Sequence, residues 1–159
     1  MLKGLRKNNK KGFTLVELIV VLVILAILAA LLIPALTGYI DKAKEKQLVA
    51  ETRQIVMATQ TLLDEAYAVK TSTDTISFET GDRPSAEKSK FKIYQTDIKG
   101  LSEVKTLTLL AAGAIVSNEG DVVVTVDATN GSKIAKVVYK NHGKTCTYDA
   151  TADVAYTVE

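Results

Sequence analysis

KGFTLVELIVVLVILAILAALLIPAL, residues 11–36, decides how the rest of the chain is organised. From Leu18 to Leu36, nineteen residues pass without a charge or a hydrogen-bonding side chain. At ~1.5 Å per helical residue the run covers roughly 28 Å, close to the ~30 Å hydrocarbon core of a bilayer. Glu17 stands immediately before it. An acid held inside lipid costs on the order of 2.5–3.5 kcal/mol on insertion scales, so this carboxylate either has a partner or reaches back to the headgroups.

The residues ahead of the run set its orientation. Residues 1–12 carry Lys3, Arg6, Lys7, Lys10 and Lys11 and no acid. Cations before an apolar span hold that end in the cytoplasm, so the body after residue 39 is expected to be exported. An ordinary secretory signal has a shorter apolar core, and the small residues Ala29, Ala30 and Ala35 make a weaker cleavage site than the sharp boundary at Gly12–Phe13. A buried core helix does not account for the cationic leader. The whole chain has 20 basic and 18 acidic residues, so removal of the five leader cations turns +2 into −3. That body has no basic excess to suggest nucleic acid. Its length of 159 residues suits one domain beside the apolar segment. One cysteine, Cys146, excludes an intramolecular disulfide.

The combination of basic leader, Gly12, Phe13, Glu17, the long apolar run and Pro34 resembles the N-terminal signature of type IV pilins and the related pseudopilins. The resemblance covers about residues 10–65 and implies a specific use for each residue. A membrane prepilin peptidase would cut between Gly12 and Phe13 and methylate the new Phe13 amine. Glu17, fifth counted from Phe13, would pair with the Phe13 amine of a neighbouring subunit in a helical filament. Opposite charges in a low-dielectric setting attract strongly, whereas either alone bears the cost of burial, so such a pair favours one axial offset between subunits. Pro34, with Gly38, would kink or loosen the helix, and the family adds extensibility there. The implied fold is α+β: a long N-terminal helix whose C-terminal half packs on an antiparallel β-meander. One cysteine cannot close the C-terminal disulfide loop of many pilins from double-membrane bacteria, which points to a Gram-positive source.

The rest of the chain fits that division. Residues 1–12 are the expected cleaved leader, 13–38 the transmembrane or filament-core helix, 39–70 its amphipathic half and 71–159 the globular head. In the amphipathic half Leu48/Val49, Ile55/Val56, Leu62/Leu63 and Val69 recur every seven residues, with Thr52, Thr59 and Ala66 between. Threonines at intermediate positions make a poor coiled coil, so the stripe is expected to pack on the protein's own sheet and to end between Ala68 and Thr71. DKAKEK at 41–46 is either a solvated face or an intersubunit salt-bridge cluster. With no tryptophan, Tyr39 is the aromatic candidate for the membrane boundary. Residues 71–90 read as a polar connector, FKIYQT at 91–96 as a strand, and Asp97 as the cap of a helix to about Leu110 ended by Gly113. Beyond it DVVVTVD, KIAKVVYK, KTCTYD and VAYTVE read as strands joined by three hairpins, the first turning at Asn130-Gly131.

No residue pattern calls for catalysis, a metal or another cofactor. His142 sits in a turn without a second ligand of its kind, and Asp121, Asp127, Asp149 and Asp153 lack calcium-loop spacing. Cys146 is read as a buried thiol, with an intersubunit disulfide as the lesser alternative. Asn130 matches a glycosylation acceptor, but the turn explains it. The expected protein is therefore not an enzyme but a type IV pilus subunit whose partners are itself, the peptidase, the assembly platform with its ATPase, and the membrane before assembly. Adhesion, surface motility or aggregation would follow from the filament. The alternatives are a pseudopilin of type II secretion or competence, with nucleic acid a partner only in the competence case, and a monomeric membrane-tethered binding module.

Overall fold

The computed structural model describes residues 12–129 and 131–159. Residues 1–11, which hold all five leader cations, and Asn130 of the expected first hairpin lie outside the described residues. The chain divides into two compact units, Met1–Asp41 and Lys42–Glu159.

Helix α1 runs from Leu15 to Val69 and closes inside the expected window. In the first unit it is long and apolar enough to cross a membrane, and none of its apolar window is buried within the chain. The Leu, Ile and Val side chains from Leu15 to Leu36 all stand half-exposed or more. Helix continues without interruption through Pro34 and Gly38. Proline has no N–H to donate back along the helix, and the Thr37 hydroxyl donates to the Pro34 carbonyl at 2.9 Å.

In the second unit the remainder of α1 buries Leu48, Thr52, Ile55, Ala58, Thr59, Leu63 and Ala66. The two threonines sit in this seam because their hydroxyls bond back to the helix, Thr52 to Leu48 O at 2.8 Å and Thr59 to Ile55 O at 2.7 Å. Neither buries an unpaired donor. The seam packs with Val122, Val124, Ile134, Val137, Tyr139 and Cys146 in one core, so the amphipathic half of the helix does lie on the protein's own sheet.

That sheet has five strands in spatial order: β3 (Thr108–Leu110), β4 (Asp121–Val126), β5 (Ile134–Asn141), β6 (Lys144–Asp149) and β7 (Tyr156–Val158). From β4 to β7 it is an antiparallel meander of three successive hairpins. β5 and β6 meet at a two-residue turn in which His142 and Gly143 both take positive φ, 57° and 77°, the handedness a tight hairpin requires. The fold is thus α+β.

Three details differ from the sequence expectations. The connector after α1 contains β1 (Ser77–Glu79), which pairs in parallel with β2 (Lys92–Tyr94); three residues are too few to show periodicity. Helix α2 spans Gln95–Ser102 and stops well short of Leu110. Asp97 lies inside its first turn, accepting the Tyr94 N–H at 2.8 Å, rather than preceding it. Glu103, at φ 60°, ends the helix in the left-handed region, so Gly113 does not. The next residues form β3, which joins β4 in parallel and extends the meander by one strand.

Arg83 organises the connector. Its guanidinium donates to Asp97 (2.8–3.3 Å), to Ser89 O at 2.9 Å and to Lys92 O at 2.6 Å, and lies 4.8 Å from the Tyr94 ring centre. Burial works against the Asp97 charge, but the Arg83 and Tyr94 hydrogen bonds and the Arg83 charge outweigh it and hold the carboxyl below its ordinary range. A depressed carboxylate stabilises the fold fully above its unfolded pKa and loses that contribution as pH falls through the lower folded value. Arg83→Met should therefore cost about 1–3 kcal/mol at neutral pH. The deficit should shrink as the medium is acidified below pH ~4, where Asp97 protonates. Urea midpoints of both chains across that range check the size and the sign.

Candidate functional site

The residues singled out at the N-terminus fall together at the start of α1. Gly12, Phe13 and Thr14 are exposed and precede the helix, and Phe13 is 88% exposed. Thr14 begins the helix: its carbonyl accepts the Leu18 N–H at 3.2 Å. Its hydroxyl accepts the Glu17 N–H at 3.2 Å and donates to Glu17 Oε2 at 2.8 Å. Its own N–H donates to the same Oε2, also at 2.8 Å. This is a reciprocal capping box, in which threonine and an acid three residues on satisfy each other's backbone N–H groups.

Sequence reasoning passed over Thr14. The signal was present as TLVE at 14–17, a threonine, two apolar residues and a glutamate directly before an apolar run. The box gives Glu17 a second reason for its position. A carboxylate in the first turn faces the partial positive charge of the helix N-terminus and fills the unpaired donors there. Oε2 takes both bonds from Thr14, while Oε1 accepts none among the described residues. Cleavage after Gly12 would convert the Phe13 N–H, one residue before the cap, into an amine. Pro34 and Gly38 lie in the same helix, twenty residues and more from the cap in sequence.

The lesser candidates in the second unit have structural explanations. His142 is partly buried rather than free on the surface: its Nε2 lies 3.4 Å from Glu51 Oε1. Asn141 donates to the other Glu51 oxygen at 2.9 Å and Gln47 donates from the preceding turn at 2.9 Å to Oε1 through Glu51's own helix. Burial opposes the Glu51 charge, yet these hydrogen bonds and the His142 ring leave its carboxyl lowered. The Tyr139 hydroxyl, bonded to Thr106 O at 3.0 Å, is pushed up to about 12 by burial and by Glu51. Cys146 is a buried free thiol, raised by burial, in the core beneath α1. Asp121 is committed to the Ser117 and Asn118 N–H groups at 3.0 and 2.8 Å. Among the described residues no group of three or more His, Cys, Asp or Glu side chains is placed to hold a metal.

Residues 7–33 match the family described as the prokaryotic N-terminal methylation motif, the type IV pilin signature. The chain carries that motif, followed by the long apolar helix, and the motif supports a type IV pilin or pseudopilin precursor. The match points to a structural subunit and fits a membrane-anchored precursor that later assembles at the surface. Nothing in it points to a Gram-positive source. No curated protein and no solved structure matches the chain.

Replacing Thr14 by Ala removes the hydroxyl that serves both sides of the box. The expected cost is about 1 kcal/mol at the helix start. In detergent micelles the amides of Glu17 and Leu18 should exchange about fivefold faster, with those of the Leu48–Leu63 seam unchanged. Equal exchange at Glu17 in both chains would show that the box contributes nothing.

Proposed function

We propose that the chain is the structural subunit of a type IV pilus. It is held in the cytoplasmic membrane as a precursor, cut between Gly12 and Phe13 by prepilin peptidase, methylated at Phe13, and polymerised by an assembly platform and its ATPase. The filament, made of copies of this chain, would serve adhesion, surface motility or aggregation.

The observation that carries the reading is the spacing of Gly12, Phe13 and Glu17 within the matched residues. Cleavage creates a positive amine at Phe13 and removes five cations, and Glu17 is the acid nearest to that new charge in sequence. In an apolar filament core the amine of one subunit and the Glu17 carboxylate of the next neutralise each other. The uncut chain has no amine there and carries its cationic leader into the same space, so it does not assemble. Pro34 and Gly38 supply a point at which the helix loosens when the filament is stretched, because the proline removes one backbone hydrogen bond of the helix.

Two variants separate processing from assembly. Gly12→Ala should accumulate precursor, seen as a mass greater by the leader. Glu17→Ala should insert and be cleaved normally yet give few or no sheared surface filaments by electron microscopy. Normal pili from the Glu17 variant would defeat the charge-pair account, and native material that retains Met1 would defeat the pilin reading as a whole. Filament length in the same micrographs distinguishes a long pilus from the short filament of a pseudopilin.

A further inference from the structure

The segment DKAKEK, directly after the apolar run, has a formal charge of only +1 from three lysines and two acids. The second unit changes that sum. Glu45 is engaged by Lys144 of β6 in an ion pair, so its charge is spent on the head. Lys42, Lys44 and Lys46 are all exposed, and none makes an ion pair or hydrogen bond among the described residues. What remains in this segment is three free ammonium groups against one exposed acid, Asp41.

Their arrangement on the helix decides what can meet them. At 3.6 residues per turn, Lys42 and Lys46 lie within about 40° of each other, whereas Lys44 is roughly 160° to 200° from both. The three cations therefore form a collar around the helix and not a stripe along one side. A flat partner protein meets one side of a helix, but a lipid leaflet surrounds it. The collar also begins two residues beyond Ile40, the last large apolar residue of the run. At ~1.5 Å per residue it occupies ~3–9 Å past that point, the depth of phosphate headgroups for a helix whose apolar residues fill the hydrocarbon core.

We propose that Lys42, Lys44 and Lys46 dock on anionic phospholipid headgroups of the outer leaflet and hold the membrane-resident subunit at a fixed depth. The inference rests on the apolar stretch of α1 up to Ile40 spanning the bilayer and is independent of filament assembly. It gives the processed chain a lipid anchor: once the leader is cut away, this collar holds the largest cluster of cations next to the span. Each lysine near an anionic surface is worth ~1 kcal/mol, and that attraction is screened by salt.

The full chain, reconstituted in vesicles of phosphatidylcholine alone or mixed with phosphatidylglycerol, can be treated with a membrane-impermeant amine reagent and each lysine read by mass spectrometry. Lys42, Lys44 and Lys46 should each label about fivefold less in the anionic vesicles. The exposed head lysines Lys88 and Lys90 should label equally in both. High salt should abolish the difference. Equal labelling of any of the three lysines in the two lipids, with the chain resistant to alkaline extraction, would overturn the docking while leaving the span intact. Release of the chain by alkali would overturn both. Protection that follows protein density in phosphatidylcholine alone would assign the collar to a neighbouring subunit's acids, and protection by soluble glycerol phosphate would remove the bilayer as the source; either result overturns the proposal.

Discussion

A helical segment that the described residues leave uncovered imposes the first constraint on everything else. Sixteen Leu, Ile and Val side chains from Leu15 to Leu36 stand about half-exposed or more. Taking that surface out of water is worth on the order of 20 kcal/mol, more than the ~5–15 kcal/mol by which a typical domain is folded. The segment therefore calls for cover that the described residues do not supply, which lipid or, in the proposed filament, copies of itself would give. A head that can exist beside either environment has to be complete on its own, which the second unit is: its core closes within residues 48–158.

That completeness depends on how α1 meets the sheet. Threonine in a helix seam is a compromise, with a β-branched shape that costs helix propensity and a hydroxyl that costs burial. Thr52 and Thr59 offset the second cost by bonding to carbonyls one turn back, and Thr52 also meets the Cys146 thiol of β6. At the β5–β6 turn the contact with α1 becomes polar: Glu51 receives Asn141 and faces His142, and Glu45 pairs with Lys144. An apolar seam with a polar clamp at one end fixes both the register and the end of the hairpin, because a slip of one residue would take Asn141 and His142 away from the partly buried Glu51.

How far the sequence could be read varied with the range of the forces involved. The long helix, its end near Val69, the stripe on the sheet and the hairpins from β4 onward are set by apolar periodicity and turn residues, which are local and strong. β1, β2 and the short α2 are not. Ser77–Glu79 pairs with Lys92–Tyr94 in a loop that Arg83, several residues on, ties to Asp97, Ser89 and Lys92, and no local pattern announces such a hub. Asp97 was legible as a helix-start residue but not its exact place, since an acid can serve before the helix or, as here, in its first turn. At the candidate site the spacing of Gly12, Phe13 and Glu17 stands out in the sequence, whereas Thr14 carries only a short helix-start pattern inside a stretch dominated by the membrane signal.

Thr14 also bears on the question of how one acid can serve two states. A carboxylate with every lone pair bound at home would have to break a bond to meet an amine from another subunit, and one with none bound would be exposed to the full cost of entering lipid. Glu17 lies between these extremes. Thr14 satisfies Oε2 through its N–H and its hydroxyl, leaving Oε1 open among the described residues. A carboxylate has about four lone-pair sites, so an ammonium at Oε1 adds to the box instead of replacing it. The cap then reduces the penalty of holding the acid at the membrane boundary without cancelling the gain from pairing it. In the proposed filament that gain is what makes a correctly stacked subunit more stable than a misplaced one, since a shift along the axis leaves an amine and a half-satisfied carboxylate buried apart.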